Sequence, residues 1–163
     1  MERLLCAACD RPLTVPLRLL DPMPERPGFD GLVGPDGYRR PPATLPRGRY
    51  AVDPERRTGP FVPYEGDDDA YDGAFPDGPW RCGESGWLVA GGPRDCYVLH
   101  PDDVLPLDFH PDYRRLIGCC GPAGDGGANR VCACGAEVAI ALGDCTTAYE
   151  TLFPPDAVRV EPV

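Results

Sequence analysis

The chain has 163 residues, enough for one domain, and carries 26 acidic against 16 basic residues, so its net charge is −10. This charge argues against a surface that follows nucleic-acid phosphates, and the lack of lysine excludes P-loop and Schiff-base chemistry. No stretch reaches the ~18 consecutive apolar residues of a membrane span. Arginine is the only basic residue type besides histidine, a bias typical of bacterial genomes rich in G and C.

Residues 1–20 form an opening arm that contains the pair Cys6-x-x-Cys9. The arm begins with an acid and its apolar run is too short for a signal peptide, so we expect a cytoplasmic protein. Thiols stay reduced in the cytoplasm, where clustered cysteines indicate metal ligands or redox groups. Residues 12–20 form an extended run that prolines interrupt, which predicts an edge strand or an irregular strand.

Residues 21–80 form an insertion rich in proline and glycine, and we expect no regular element of any length over residues 21–60. A basic island at residues 38–57 contains six arginines, which are Arg39, Arg40, Arg47, Arg49, Arg56 and Arg57.

Residues 61–80 reverse the charge, with six acids, no basic residue and aromatic side chains between the acids. Calcium binding is disfavoured because the EF-hand spacing is absent, so we interpret these acids as a solvated loop. Apolar anchors inside a negative rim suit a basic protein partner. The residues predicted to contact such a partner are Tyr64, Asp67, Asp68, Asp69, Tyr71, Asp72 and Phe75.

Residues 81–117 predict two short strands and one short helix. The strands are 87–90 and 96–100, joined by a turn at 91–95, and the helix runs from Pro111 to about Ile117. Cys96 and His100 share a strand face and are a candidate nucleophilic dyad. The alternative is that Cys96 is buried and His100 caps the turn that follows it.

Residues 118–163 begin with Cys119-Cys120 and a glycine-rich loop, which lacks the flanking strand and helix of a phosphate cradle. Cys132-x-Cys134 then leads into a strand over 137–142, a turn at 143–144 and a segment over 146–153, with a last strand at 158–160. This pattern is typical of a β-hairpin or meander. The whole chain predicts a single, mostly β domain with short helices and much irregular loop.

Two cysteine pairs, each on a tight turn beside a strand, suggest a metal site. The stretches LLCAACDRPL (residues 4–13) and CACGAEV (residues 132–138) resemble the two knuckles of zinc-ribbon and rubredoxin-like proteins. They depart from that pattern in having Asp10 in place of glycine and a second pair one residue shorter. The resemblance implies a Zn²⁺ ion that joins the amino- and carboxyl-terminal segments, 1–20 and 118–163. Its implied ligands are Cys6, Cys9, Cys132 and Cys134, with Cys119 or Cys120 as alternates for Cys132.

Several alternatives to a single structural zinc stay open. The thiols can be reduced and packed as small apolar groups, or Cys6 and Cys9 can serve redox chemistry. A second metal site is an alternative use of Cys119, Cys120, Cys145 and a histidine.

For function, we expect a non-enzymatic, zinc-stapled acidic protein that binds a protein partner, as an immunity or antitoxin protein or an adaptor does. One alternative is a zinc-ribbon module in nucleic-acid transactions that uses the basic island at 38–57. The other is a metal- or thiol-dependent enzyme, which four thiolate ligands on one ion disfavour because they leave no open coordination position.

Overall fold

A computed structural model describes residues 1–66, 81–83 and 86–163 of the chain. Within these residues the strands are β1 (Glu2–Cys6), β2 (Arg18–Leu19), β3 (Arg49–Asp53), β4 (Phe61–Pro63), β5 (Arg81–Gly83), β6 (Gly86–Ala90), β7 (Cys96–Leu99), β8 (Asp108–Phe109), β9 (Arg130–Val131), β10 (Glu137–Leu142), β11 (Glu150–Phe153) and β12 (Val158–Pro162). Short 3₁₀ helices occupy Pro101–Asp103 and Tyr113–Leu116. The predicted class, mostly β with short helices and extensive loops, is confirmed.

The strands form three sheets. Seven of them pair in the order β2-β3-β7-β11-β10-β9-β8, three pair in the order β4-β6-β5, and β1 pairs with β12 alone. The β1–β12 pair is antiparallel and brings the two ends of the chain together, with Glu2 opposite Pro162 and Cys6 opposite Val158. This pairing places the first cysteine pair beside the carboxyl-terminal segment.

The apolar core of the described residues has two parts, which draw on the large sheet, on the β1–β12 pair and on the segment between β1 and β2. One part contains Leu4, Leu13, Leu17, Tyr50, Leu99, Val138, Ala139, Phe153, Val158 and two of the cysteines, Cys6 and Cys132. The other contains Leu45, Ala51, Cys96, Val98, Ile140, Leu142 and Leu152. Because Cys6 and Cys132 are core residues, the cysteine site borders the interior rather than standing apart from it.

The strands predicted from the second half of the sequence are present. β10 and β11 form the expected antiparallel hairpin. β6 and β7 also lie where predicted, but they belong to different sheets, so the turn between them connects two sheets instead of closing a hairpin. β12 was also predicted, and its antiparallel partner is β1, at the other end of the described chain.

Two expectations were wrong in detail. The segment 21–60 contains β3, a five-residue strand that lies between β2 and β7, with Tyr50 and Ala51 buried. The prolines and glycines around this strand gave no strand signal, although Tyr50 and Ala51 each pack in one part of the core. The helix expected from Pro111 to Ile117 is reduced to the 3₁₀ turn Tyr113–Leu116, which Asp112 caps by accepting a hydrogen bond from Arg114 N–H.

Asn129, the single asparagine of the chain, hydrogen-bonds backbone groups of β10 near the point where β9 and β10 pair irregularly. Its side chain is fully buried, accepts from Ala141 N–H at 2.8 Å and donates to Ala141 O at 2.9 Å. Since Asn129→Ala leaves both backbone groups without a partner, we expect a loss of roughly 2 kcal/mol in unfolding free energy. Urea denaturation checks this, and an unchanged midpoint at an unchanged slope would contradict it.

Candidate metal centre

Four cysteine side chains from opposite ends of the chain meet beside the core. The Sγ atoms of Cys6, Cys9, Cys132 and Cys134 all lie within 4.8 Å of one another. The Cys6–Cys134 and Cys9–Cys132 sulfur distances are 3.8 Å and 3.6 Å. Four sulfurs at the usual Zn–S length of 2.3 Å stand about 3.8 Å apart in a tetrahedron. The spacing therefore fits a tetrahedral four-thiolate metal site.

The two cysteine turns share one backbone design. In the first, Asp10 N–H donates to Cys6 O at 2.9 Å and Cys6 N–H donates to Arg11 O at 2.9 Å. In the second, Gly135 N–H donates to Cys132 O at 2.7 Å and Cys132 N–H donates to the Ala136 carbonyl at 2.8 Å. The second turn thus reproduces the first with one residue fewer, which is how a C-x-C pair can face the same point as a C-x-x-C pair.

The residue after each pair adopts the left-handed conformation. The φ angle is 58° at Asp10 and 89° at Gly135. Glycine adopts this conformation freely, and aspartate is among the few other residues that tolerate it. Asp10 also contacts the Arg159 guanidinium on β12. The departure from the glycine of the zinc-ribbon pattern is therefore accommodated by a residue type that fits the backbone.

Backbone N–H groups near the sulfurs favour the thiolate form and lower the thiol pKa values. These groups belong to Ala8 and Cys9 at Cys6, to Cys134 at Cys132 and to Ala136 at Cys134. Burial raises the pKa of Cys6, and it raises the pKa of Cys132 to about 12. The backbone hydrogen bond from residue 136 lowers the pKa of Cys134 to about 7.

These pKa directions bear on the redox alternative. A nucleophilic thiol needs a lowered pKa, whereas the buried Cys6 thiol has a raised one. Both buried thiols are more stable as neutral groups until a cation arrives beside them. Its raised pKa therefore makes Cys6 a poor nucleophile for attack on a disulfide.

A second cysteine group lies elsewhere in the described residues. The Sγ atoms of Cys119, Cys120 and Cys145 also lie within 4.8 Å of one another. Cys119 and Cys120, the predicted alternates for Cys132, belong to this group and not to the four-cysteine group. Neither His100 nor His110 joins either group.

The histidines and Cys96 have structural partners instead. His100 Nδ1 accepts from Asp102 N–H at 3.0 Å, which caps the Pro101–Asp103 turn. Cys96 is buried, and burial raises its pKa to about 12. His110 lies 2.9 Å from a carboxylate oxygen of Glu137. The structure therefore agrees with a buried Cys96 and a capping His100 rather than a reactive dyad.

Most of the basic island is engaged within the protein. Four of its six guanidinium groups contact carboxylates or carbonyls of the chain: Arg40 with Asp36, Arg47 with Asp103, Arg57 with Asp53, and Arg56 with Gly91 and Gly92. Arg40 also stacks on Tyr149, 4.0 Å from the ring centre. The nucleic-acid alternative stays a prediction, and the placement of these arginines gives it no support.

The predicted partner-binding residues fall largely outside the described part of the chain. Asp67, Asp68, Asp69, Tyr71, Asp72 and Phe75 lie in the segment 67–80, of which nothing is described. Tyr64 follows β4, is half-buried, and its N–H donates to Trp87 O at 2.8 Å.

Sequence reasoning missed a buried ion network. Arg26 Nη2 lies 2.7 Å from both Asp53 Oδ2 and Glu150 Oε1, and the two carboxylates are almost fully buried. Arg57 adds a second cation to Asp53 at 3.0 Å, and Thr44 Oγ1 donates to Glu150 Oε2 at 2.5 Å. Because Arg26 is 124 residues from Glu150, no local pattern could reveal the pair.

No family model, curated protein or solved structure matches this chain. None of the helices in the described ranges has the length and apolar character needed to cross a bilayer. The residues themselves therefore carry the functional argument, and what they establish is two cysteine groups, one of four and one of three, that could each hold a metal ion.

Proposed function

We propose that the four-cysteine group holds a structural Zn²⁺ ion, and that the protein is a zinc-stapled, acidic, non-enzymatic protein that binds a protein partner. The convergence of four Sγ atoms from the two chain ends carries the first part of this proposal. Four thiolates in a closed tetrahedral set are typical of structural zinc and leave no position for a substrate. The cytoplasmic location belongs to the same proposal, because the ligands must stay reduced.

A zinc ion at the four-cysteine group would stabilise parts of this fold that have few strand contacts of their own. Strands β2, β8 and β9 have two residues each, and the β1–β12 sheet has only two strands. Isolated two-stranded pairs are marginal in water, and zinc binding can contribute on the order of 10 kcal/mol to folding. Cys6 ends β1, and Cys132 directly follows β9. An ion between them would hold the terminal pair against the large sheet.

Charge and composition support the partner-binding part. The chain carries a net charge of −10, and six of its acids, Glu65, Asp67, Asp68, Asp69, Asp72 and Asp77, lie among aromatic residues in 61–80. Complementary charge accelerates association with a basic partner and selects against acidic ones. Such a partner would release at high salt, since exposed charge contacts are screened within about 10 Å at 0.1 M ionic strength.

A capture experiment with matched variants tests this second part. One variant replaces the six acids of 61–80 by their amides; the control replaces six exposed acids elsewhere, Asp21, Glu25, Asp30, Asp95, Asp108 and Asp156. Both variants change the net charge equally. We expect the first to lose a protein that the wild type and the control recover from the source cell at low salt. Equal recovery by both variants would overturn the assignment of this segment.

A further inference from the structure

The three-cysteine group lies where two loops of the second half of the chain are held together. Gly143 N–H donates to Pro122 O at 3.0 Å, which fixes the loop at 118–122 against the turn that follows β10. The approach is close: a Cβ on Gly121 would stand 2.5 Å from Gly143 O, and one on Gly118 would stand 1.8 Å from Gly121 O. Only glycine fits at both positions, so the backbone around the thiols is tightly constrained.

The Asp144 side chain holds these two loops together through hydrogen bonds. Its carboxylate is buried and accepts hydrogen bonds from Cys120 N–H at 2.5 Å and Gly121 N–H at 3.2 Å. It also accepts from the hydroxyl of Thr146 at 2.6 Å. One buried side chain thus ties Cys120 to the residues on either side of Cys145. The thiols are brought together by fixed backbone rather than by chance contact of flexible side chains.

We propose that Cys119, Cys120 and Cys145 form a second metal site, a three-thiolate site for a thiophilic d¹⁰ cation with an open coordination position. The Cys119–Cys120 sulfur distance is 3.9 Å, and the third sulfur lies within 4.8 Å of both. Three sulfurs at about 2.3 Å from one ion stand about 4.0 Å apart when planar and about 3.8 Å apart when tetrahedral. Thiolates select Zn²⁺ and Cu(I) over hard cations.

Ligand number and exposure separate this site from the four-cysteine group. No histidine or carboxylate of the described residues completes the three-cysteine set. Cys119 and Cys120 are exposed and Cys145 is partly exposed, whereas two thiols of the four-cysteine group are buried. A bound ion would face solvent and could accept a fourth ligand from outside. Binding involves no change of oxidation state, and each thiol that binds releases its proton to the solvent.

The test counts metal on the full chain with two ions as probes. Reduced protein is loaded with excess Zn²⁺ and counted by native mass spectrometry, then challenged with a weak chelator. In a parallel anaerobic arm, zinc-loaded protein competes with a chelator for Cu(I). We expect two equivalents of metal on the wild type in at least one arm, and one on the triple variant Cys119→Ser, Cys120→Ser, Cys145→Ser. The arm in which the difference appears identifies the ion.

Two further readouts keep this test decisive. Cys96→Ala removes a cysteine outside both groups and is expected to keep the wild-type count. If the triple variant fails to fold, alkylation is mapped on the wild type, where the second equivalent of metal should slow modification of Cys119, Cys120 and Cys145. Equal metal counts for wild type and triple variant, or unchanged alkylation rates, would overturn the second site. Either result leaves the four-cysteine proposal intact, because that site retains its own equivalent.

Discussion

Cys9→Ala is expected to unfold the protein at temperatures where the wild type is stable. Cys9 is exposed, so its removal costs little packing, but it takes one of four ligands from the proposed ion. Structural zinc contributes on the order of 10 kcal/mol to folding, and a domain has only about 5–15 kcal/mol of net stability. Thermal unfolding followed by circular dichroism should therefore show a large loss of Tm, with chelation of the wild type giving the same result.

Cys119→Ala is the matched control for this variant. It removes an exposed cysteine too, but from the three-cysteine group. We expect its loss of Tm to be much smaller than that of Cys9→Ala, because hydrogen bonds to Asp144 hold the loops of the three-cysteine group without a metal. If Cys9→Ala and Cys119→Ala were equally stable, the four-cysteine group would not be the staple that holds the termini.

Arg26→Met is expected to lower the free energy of unfolding by about 3–5 kcal/mol, because it removes the guanidinium group that pairs with the buried carboxylates of Asp53 and Glu150. The exposed fractions of these two carboxylates are 2% and 1%. A loss of this size lowers Tm by roughly 10 °C for a domain of this length. Urea denaturation at neutral pH measures the difference directly.

Acidification should reduce the difference in unfolding free energy between Arg26→Met and the wild type. Burial by itself raises the pKa of Asp53, but the N–H of residue 55 and the Arg26 guanidinium outweigh it, so the pKa lies below the ordinary 3.8. A lowered pKa stabilises the fold above that ordinary value, and the stabilisation is lost as the pH falls through the lowered pKa.

The exposed Arg3–Glu161 pair provides a control for this network. Both side chains are more than one-third exposed, and such pairs contribute about 0–1 kcal/mol. Arg3→Ala should therefore be nearly neutral. An Arg26→Met protein as stable as Arg3→Ala would contradict the expectation that Asp53 and Glu150 need the Arg26 cation in the folded state.

Local patterns predicted the second half of the fold well. Short apolar runs bounded by turn signals located β6, β7 and the β10–β11 hairpin, because both signals are local in the sequence. They did not predict β3, since its five residues lie among prolines and glycines and depend on pairing with β7 for their order.

The cysteine site could be anticipated because its two halves are each local. A cysteine pair on a tight turn can be recognised from the few residues around it, even when the second pair lies far away in the sequence. The ion network could not be, because Arg26, Asp53 and Glu150 come from three distant segments and each looks like an ordinary surface charge. The shared backbone design of the C-x-x-C and C-x-C turns also needed the structure, since spacing alone made Cys132 the least certain ligand.

The most direct test of the zinc staple is native mass spectrometry of the freshly purified, reduced protein, with elemental analysis of the same sample. We expect one zinc ion at the four-cysteine group of each folded wild-type chain, so that Cys9→Ala holds one zinc fewer than the wild type and the triple variant of Cys119, Cys120 and Cys145 keeps this zinc. A folded chain with nine free thiols and no metal, or one that holds a metal other than zinc at the four-cysteine group, would contradict it.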